Sequence, residues 1–84
     1  MQKVLNDELP VRHYRRMTLA CYYRPDLKPK SASADLKRQI LLFPGLEERL
    51  RRTGFHWGKR SFTPEQVKTI FECIGPPYSD ASNL

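Results

Sequence analysis

Residues 62–77 read FTPEQVKTIFECIGPP, and this stretch decides the fold class. Thr63 is a good helix N-cap, Pro64 suits the first helical position, and Gln66 stands where it can close a capping box. Phe62 and Val67 flank the cap at the spacing of a hydrophobic staple. Val67, Ile70, Phe71 and Ile74 then recur at i, i+3, i+4 and i+7, which lines one helical face with apolar side chains. Gly75-Pro76-Pro77 stops the helix. So apolar a face has to be covered by the rest of the chain.

Just upstream, residues 55–62 place Phe55, Trp57 and Phe62 around Gly58, Lys59 and Arg60. The segment suits either a short two-stranded ribbon or an ordered loop pinned by its aromatics. Trp57 is read as a rim residue closing the core, with an exposed stacking residue for nucleic acid as the sharper alternative. Before it, a helix is expected over 44–52, opened by Pro44, with Leu46 and Leu50 inward. Glu47 and Glu48 in its first turn and Arg51 and Arg52 in its last suit the helix dipole. Gly54 is the expected left-handed residue past its end. A further helix is expected over 32–42, capped by Ser31 with Ser33 as competitor, and carrying Leu36, Ile40 and Phe43 as its stripe. Residues 27–30 form a connector, and Arg24-Pro25-Asp26 a turn. A first helix over 16–23 puts Leu19, Ala20 and Tyr23 inward, after an extended lead-in at 11–14.

The chain therefore divides into a flexible arm at 1–10, in which Leu5 and Leu9 could dock on the body, a single helical domain at 11–77, and a polar tail at 78–84. The expected class is mainly α: four short helices, helix-turn-helix or winged-helix-like, with an aromatic-rich loop or minimal β-ribbon before the last helix.

With 84 residues, such a chain buries only roughly 60 to 65% of its extended surface, so one thin core is all it can build. A large enzyme with a deep pocket is excluded by size. The net charge is +6, and its distribution is uneven. Residues 1–11 sum to −1, residues 12–60 to +9 and residues 61–84 to −2. A basic centre favours polyanions and speeds encounter with them, against the plainer reading of a solvated face. Three clusters carry it: Arg12, Arg15 and Arg16; Lys28, Lys30, Lys37 and Arg38; and Arg49, Arg51 and Arg52 with Lys59 and Arg60. In a helix-turn-helix reading the second helix enters the groove of double-stranded DNA with Lys30, Ser31, Ser33, Lys37 and Arg38. Ser31 and the free N–H groups of the helix start would hold a phosphate, and Lys59 and Arg60 act as a wing. Arg12, Arg15, Arg16, Lys28 and Arg52 complete the set. Asp35 opposes this reading, and Leu41 falls off the stripe. An assembly or protein-interaction module, or a homodimer, is the alternative that Leu5, Leu9 and Leu41 favour.

Catalytic motifs are lacking: no phosphate-cradling glycine run, no HExxH, no CxxC and no GxSxG. His13, Cys21, His56 and Cys73 lack metal-ligand spacing, and both cysteines are read as packing residues. The expectation is a protein without cofactor, metal or catalytic activity. With no apolar signal region and no stretch of about 18 apolar residues, a cytoplasmic location without a membrane span is expected.

Several of these residues carry a resemblance. Tyr14, Leu19-Ala20, Tyr23 and Pro25-Asp26-Leu27 are followed by Pro44, Leu46, Leu50, Gly54-Phe55, Lys59-Arg60, Phe62-Thr63-Pro64-Glu65-Gln66-Val67, Ile70, and Gly75 with Pro77. Over about residues 12–77 this resembles a family of short proteins from Bacteroides and its relatives that is described as a domain of unknown function. The chain departs from that pattern at Thr18, where the family often has Glu, and at Gln39, where it often has Trp. The resemblance implies a helical protein of an anaerobic gut-type bacterium and no particular chemistry. The opening is also similar to the first turn of MerR-type and excisionase-type DNA-binding domains, which implies a helix-turn-helix at fold level.

Overall fold

A computed structural model describes residues 9–77. Most of the expected arm, Leu5 included, and the tail at 78–84 lie outside the described residues. The elements run β1 (Tyr14–Arg15), α1 (Arg16–Tyr23), α2 (Pro29–Leu42), α3 (Leu46–Arg52), β2 (Ser61–Phe62) and α4 (Pro64–Cys73).

α4 forms where its local signals place it. The Thr63 hydroxyl accepts from the Gln66 N–H at 3.3 Å, and the Gln66 side-chain oxygen accepts from the Thr63 N–H at 3.0 Å. Each residue thereby satisfies a donor that the helix start would otherwise leave orphaned. Val67 and Ile70 are fully buried, with Phe71 and Ile74 half-buried at the rim of the same face. Gly75, at φ 97°, takes the left-handed conformation that only glycine adopts without strain. α1 also keeps its expected bounds, and Leu19 and Ala20 are buried. The Tyr23 hydroxyl donates to the Gly75 carbonyl, tying the end of α1 to the end of α4. Burial pushes its phenol well above the ordinary range.

α2 begins three residues before the expected start. Pro29 takes the first helical position, because its fixed φ is already helical, and Lys28 is the N-cap without a side-chain cap bond. Ser31 is therefore not the cap, nor is Ser33; both lie inside the helix. Ala32, Leu36 and Ile40 make the buried stripe. Phe43 does not extend it: the helix ends at Leu42, and Phe43 is 38% exposed. α3 begins at Leu46, two residues after the expected start, because Gly45 at φ 79° turns the chain before it. Leu46 and Leu50 are buried as expected, and Gly54 is left-handed.

Residues 55–62 do not pair with themselves. Their last two form β2, which runs antiparallel to β1 with Tyr14 opposite Phe62 and Arg15 opposite Ser61. The ladder continues in a bond from the Arg16 N–H to the Arg60 carbonyl at 2.7 Å. Tyr14 and Phe62 turn into the core. Phe55 stacks on Phe62 at 5.0 Å and meets Trp57 edge to face at 5.0 Å. Four helices, an aromatic cluster and a minimal ribbon thus surround one core, in a mainly α arrangement consistent with helix-turn-helix and winged-helix-like domains. No helix among the described residues is long and apolar enough to cross a membrane.

Candidate nucleic-acid interface

The two-residue ladder has a consequence for the cations. It sets Arg15 and Arg16, at the start of α1, beside Arg60 from a segment more than forty positions away. Arg15, Arg16 and Arg60 line a surface groove of about 220 Å³ together with Met17 and Ser33 of α2. Among the described residues no carboxylate belongs to that lining. α1 also has no acidic residue in its first turn and no side-chain cap, so its positive end is left uncompensated there.

Trp57 adjoins this group. The Arg16 guanidinium donates to the Trp57 carbonyl at 2.7 Å and lies 5.6 Å from its ring centroid. The Lys37 ammonium lies 5.1 Å from the same centroid. Both distances are in the range of cation–π attraction. The indole N–H donates to Glu47 at 2.8 Å. That bond, then the one from Arg51, holds the Glu47 carboxyl below the usual glutamate range. Trp57 is half-buried, a rim residue that joins α1, α2 and α3 across the loop. Ser33 and Lys37 are four residues apart on α2, so they share a helical side.

The remaining expected contacts do not gather at the groove. Ser31 and Arg38 line a different hollow, with Leu27, Ala34 and Asp35. Asp35 is 8% exposed. It accepts from Arg38 and from Gln39 at 2.8 Å each and faces Arg24 at 3.4 Å. Arg38, Gln39 and Arg24 together hold its carboxyl below the usual aspartate range. Arg24 also grips Asp26 with two bonds, at 3.0 and 3.1 Å, fixing the turn between α1 and α2. The acid that opposed a polyanion in the sequence is thus the anchor of that turn, and it offsets Arg38. Arg52 pairs with Glu48, Arg51 with Glu47, and Arg49 with Glu72. Arg12 lies 5.3 Å over the Tyr14 ring. Lys28, Lys30 and Lys59 are exposed.

The i, i+4 pairs of α3 follow from the spacing of Glu47 and Glu48 to Arg51 and Arg52. The Trp57–Glu47 bond and the three-way Asp35 network do not, since nothing local marks which acid a buried donor will find. Among the described residues no three His, Cys, Asp or Glu side chains gather to hold a metal ion. Cys21 and Cys73 are free and half-buried, and Cys73 accepts from Arg49 at 3.2 Å.

Residues 10–77 match the family described as a domain of unknown function (DUF4248). No curated protein and no solved structure matches the chain.

Proposed function

The chain belongs to the DUF4248 family of domains of unknown function, and from that premise we propose that it is a small cytoplasmic DNA-binding accessory or regulatory protein, without catalytic activity, that meets the phosphate backbone with a basic side. The observation that carries this reading is the groove lined by Arg15, Arg16, Ser33 and Arg60, with no carboxylate in it among the described residues. Lys37, whose ammonium lies over the Trp57 ring that the Arg16 guanidinium also meets, adds a cation from α2 in this reading, as do the exposed Lys30 and Lys59. Arg12 and Lys28 contribute at longer range. Ser31, Arg38 and Arg52 have a lesser part, because Ser31 opens on another hollow and the two arginines are already paired with acids. A MerR-type or excisionase-type reading of the opening is part of this proposal. A single module of this size binds modestly, so target specificity would come from a homodimer or a partner protein.

Titration of labelled duplex DNA at roughly 50 and 200 mM salt tests the reading. Four phosphate contacts release enough counterions to weaken binding about 100-fold between those conditions. No binding at the lower salt, or an affinity indifferent to salt, would overturn it.

A protein-interaction module is the second reading, favoured by one corner of the surface. Leu41, Leu42 and Phe43 are exposed in succession, Leu42 at 74%. Leu42 and Phe43 also line a hollow with Gln39, Pro44, Cys73 and Ile74. Sedimentation at rising concentration separates the readings: self-association that Leu42→Ser abolishes supports this one, and a strict monomer counts against it.

A further inference from the structure

Among the described residues the groove differs from the other charged places in being both concave and without a paired carboxylate. Arg24, Arg38, Arg49, Arg51 and Arg52 each face a carboxylate within 4 Å, whereas Arg15, Arg16 and Arg60 form no such pair among the described residues. Its volume of about 220 Å³ is far above the roughly 10 to 15 Å³ that one water needs on the same measure, which leaves room for one phosphoryl group. The walls are braced from behind. The ladder pairs Arg15 with Ser61, the Arg16 N–H is bound to the Arg60 carbonyl, and the Arg16 side chain is tied to the Trp57 carbonyl. Bracing of this kind reduces the ordering cost of binding.

We infer, resting on the nucleic-acid reading above, that this groove is a seat for one phosphomonoester dianion, the phosphorylated end of a nucleic-acid strand, in preference to an internal phosphodiester. Three arginines line one hollow, and their like charges repel one another. A dianion offsets two of their charges and a diester only one. The monoester also presents three terminal oxygens to the planar donor forks of arginine, where a diester presents two. Ser33, in the lining from α2, carries a hydroxyl that can donate. With its second pKa near 6, a phosphomonoester is mostly dianionic at pH 7.

The test uses the full chain and one duplex sequence in two forms, ending in 5′-phosphate or in 5′-hydroxyl, with inorganic phosphate alone as a third probe. The seat predicts about tenfold tighter binding of the phosphorylated form at low salt. That preference is lost in Arg60→Ala, kept in Lys68→Ala on α4, outside the groove lining, and shrinks as pH falls below about 6. Circular dichroism checks that Arg60→Ala folds, and Arg60→Gln repeats the measurement if it does not. Equal affinity for the two duplexes overturns the seat and leaves the nucleic-acid reading standing. If neither duplex binds, the nucleic-acid reading fails. Inorganic phosphate then decides the seat alone: saturable amide shifts at Ser33 and Arg60 sustain it as a site for free phosphate, and their absence overturns it.

Discussion

The Gln66 side-chain amide donates to Thr53 twice, to its carbonyl at 3.2 Å and to its hydroxyl at 3.1 Å, while its oxygen accepts from the Thr63 N–H. One buried side chain thereby caps α4 and holds the end of α3. The Thr53 hydroxyl passes the chain of bonds on to the Leu50 carbonyl at 2.7 Å. Gln66 is 2% exposed, so its own amide has no water to fall back on, although Thr53 is half-buried and Thr63 exposed. Gln66→Met keeps the volume and is expected to cost about 1 to 3 kcal/mol in urea unfolding. A double-mutant cycle with Thr53→Val should show a coupling above about 0.5 kcal/mol, whereas simple additivity would show that the two residues act independently.

Acid should weaken the fold through Asp35. Its carboxyl titrates below the ordinary aspartate range because Arg38, Gln39 and Arg24 favour the charged form. A folded-state pKa below the unfolded one means stability that is fully present above the unfolded value, near 3.9, and lost as pH falls through the folded one. Asp26 and Glu47 act in the same direction. Thermal unfolding of wild type should therefore fall more steeply below pH 4 than that of Asp35→Asn. Parallel curves would remove Asp35 from the acid response.

Ile70 lies at the centre of the core face of α4 and is fully buried. Ile70→Ala is expected to cost roughly 2 to 4 kcal/mol through lost burial and the cavity left behind. That is a large share of the total stability of a small domain, about 5 kcal/mol. Ile70→Val, at about 0.5 to 1.5 kcal/mol, keeps the measurement possible if the alanine variant does not fold. An unchanged denaturation midpoint in both would misplace the core.

Trp57 should report the protonation of Glu47. Its indole N–H donates to the carboxylate at 2.8 Å, and Glu47 titrates below the usual glutamate range. Trp57 fluorescence is expected to change with a midpoint under pH 4.3, the ordinary glutamate value. The change should vanish in Glu47→Gln, and its persistence there would assign it to another group.

Helix existence was legible residue by residue, and boundaries less so. Thr63-Pro64-Glu65-Gln66 marks the start of α4 because a capping box is complete within four residues. At α2 the same logic picked Ser31, yet the helix took Pro29 as its first residue. A proline preset to helical φ can open a helix without any side-chain cap, and two plausible starts lay three residues apart. Phe43 was misplaced for a related reason: the four-and-three spacing from Leu36 and Ile40 holds only while the helix lasts.

The candidate site was legible as residue types and not as a place. The cations were visible, but their sorting was not. On α2, Ser33 faces the groove while Ser31 and Arg38 open on the hollow with Asp35. One residue along a helix turns the side chain by about 100°, so the face each residue takes depends on which side of α2 the other helices cover.

By itself the sequence determined four helices, the capping box of α4, the glycines that follow α3 and α4, and an excess of positive charge in the middle of the chain. These rest on interactions between residues a few positions apart, which the chain carries wherever it goes. Only the tertiary structure decided that Tyr14–Arg15 is the strand partner of Ser61–Phe62, and hence that Arg15, Arg16 and Arg60 share a groove. Two-residue strands have too little pattern to specify their own pairing. Packing of Tyr14 and Phe62 into a common core selects the partner, and that selection exists only once the helices have closed around it.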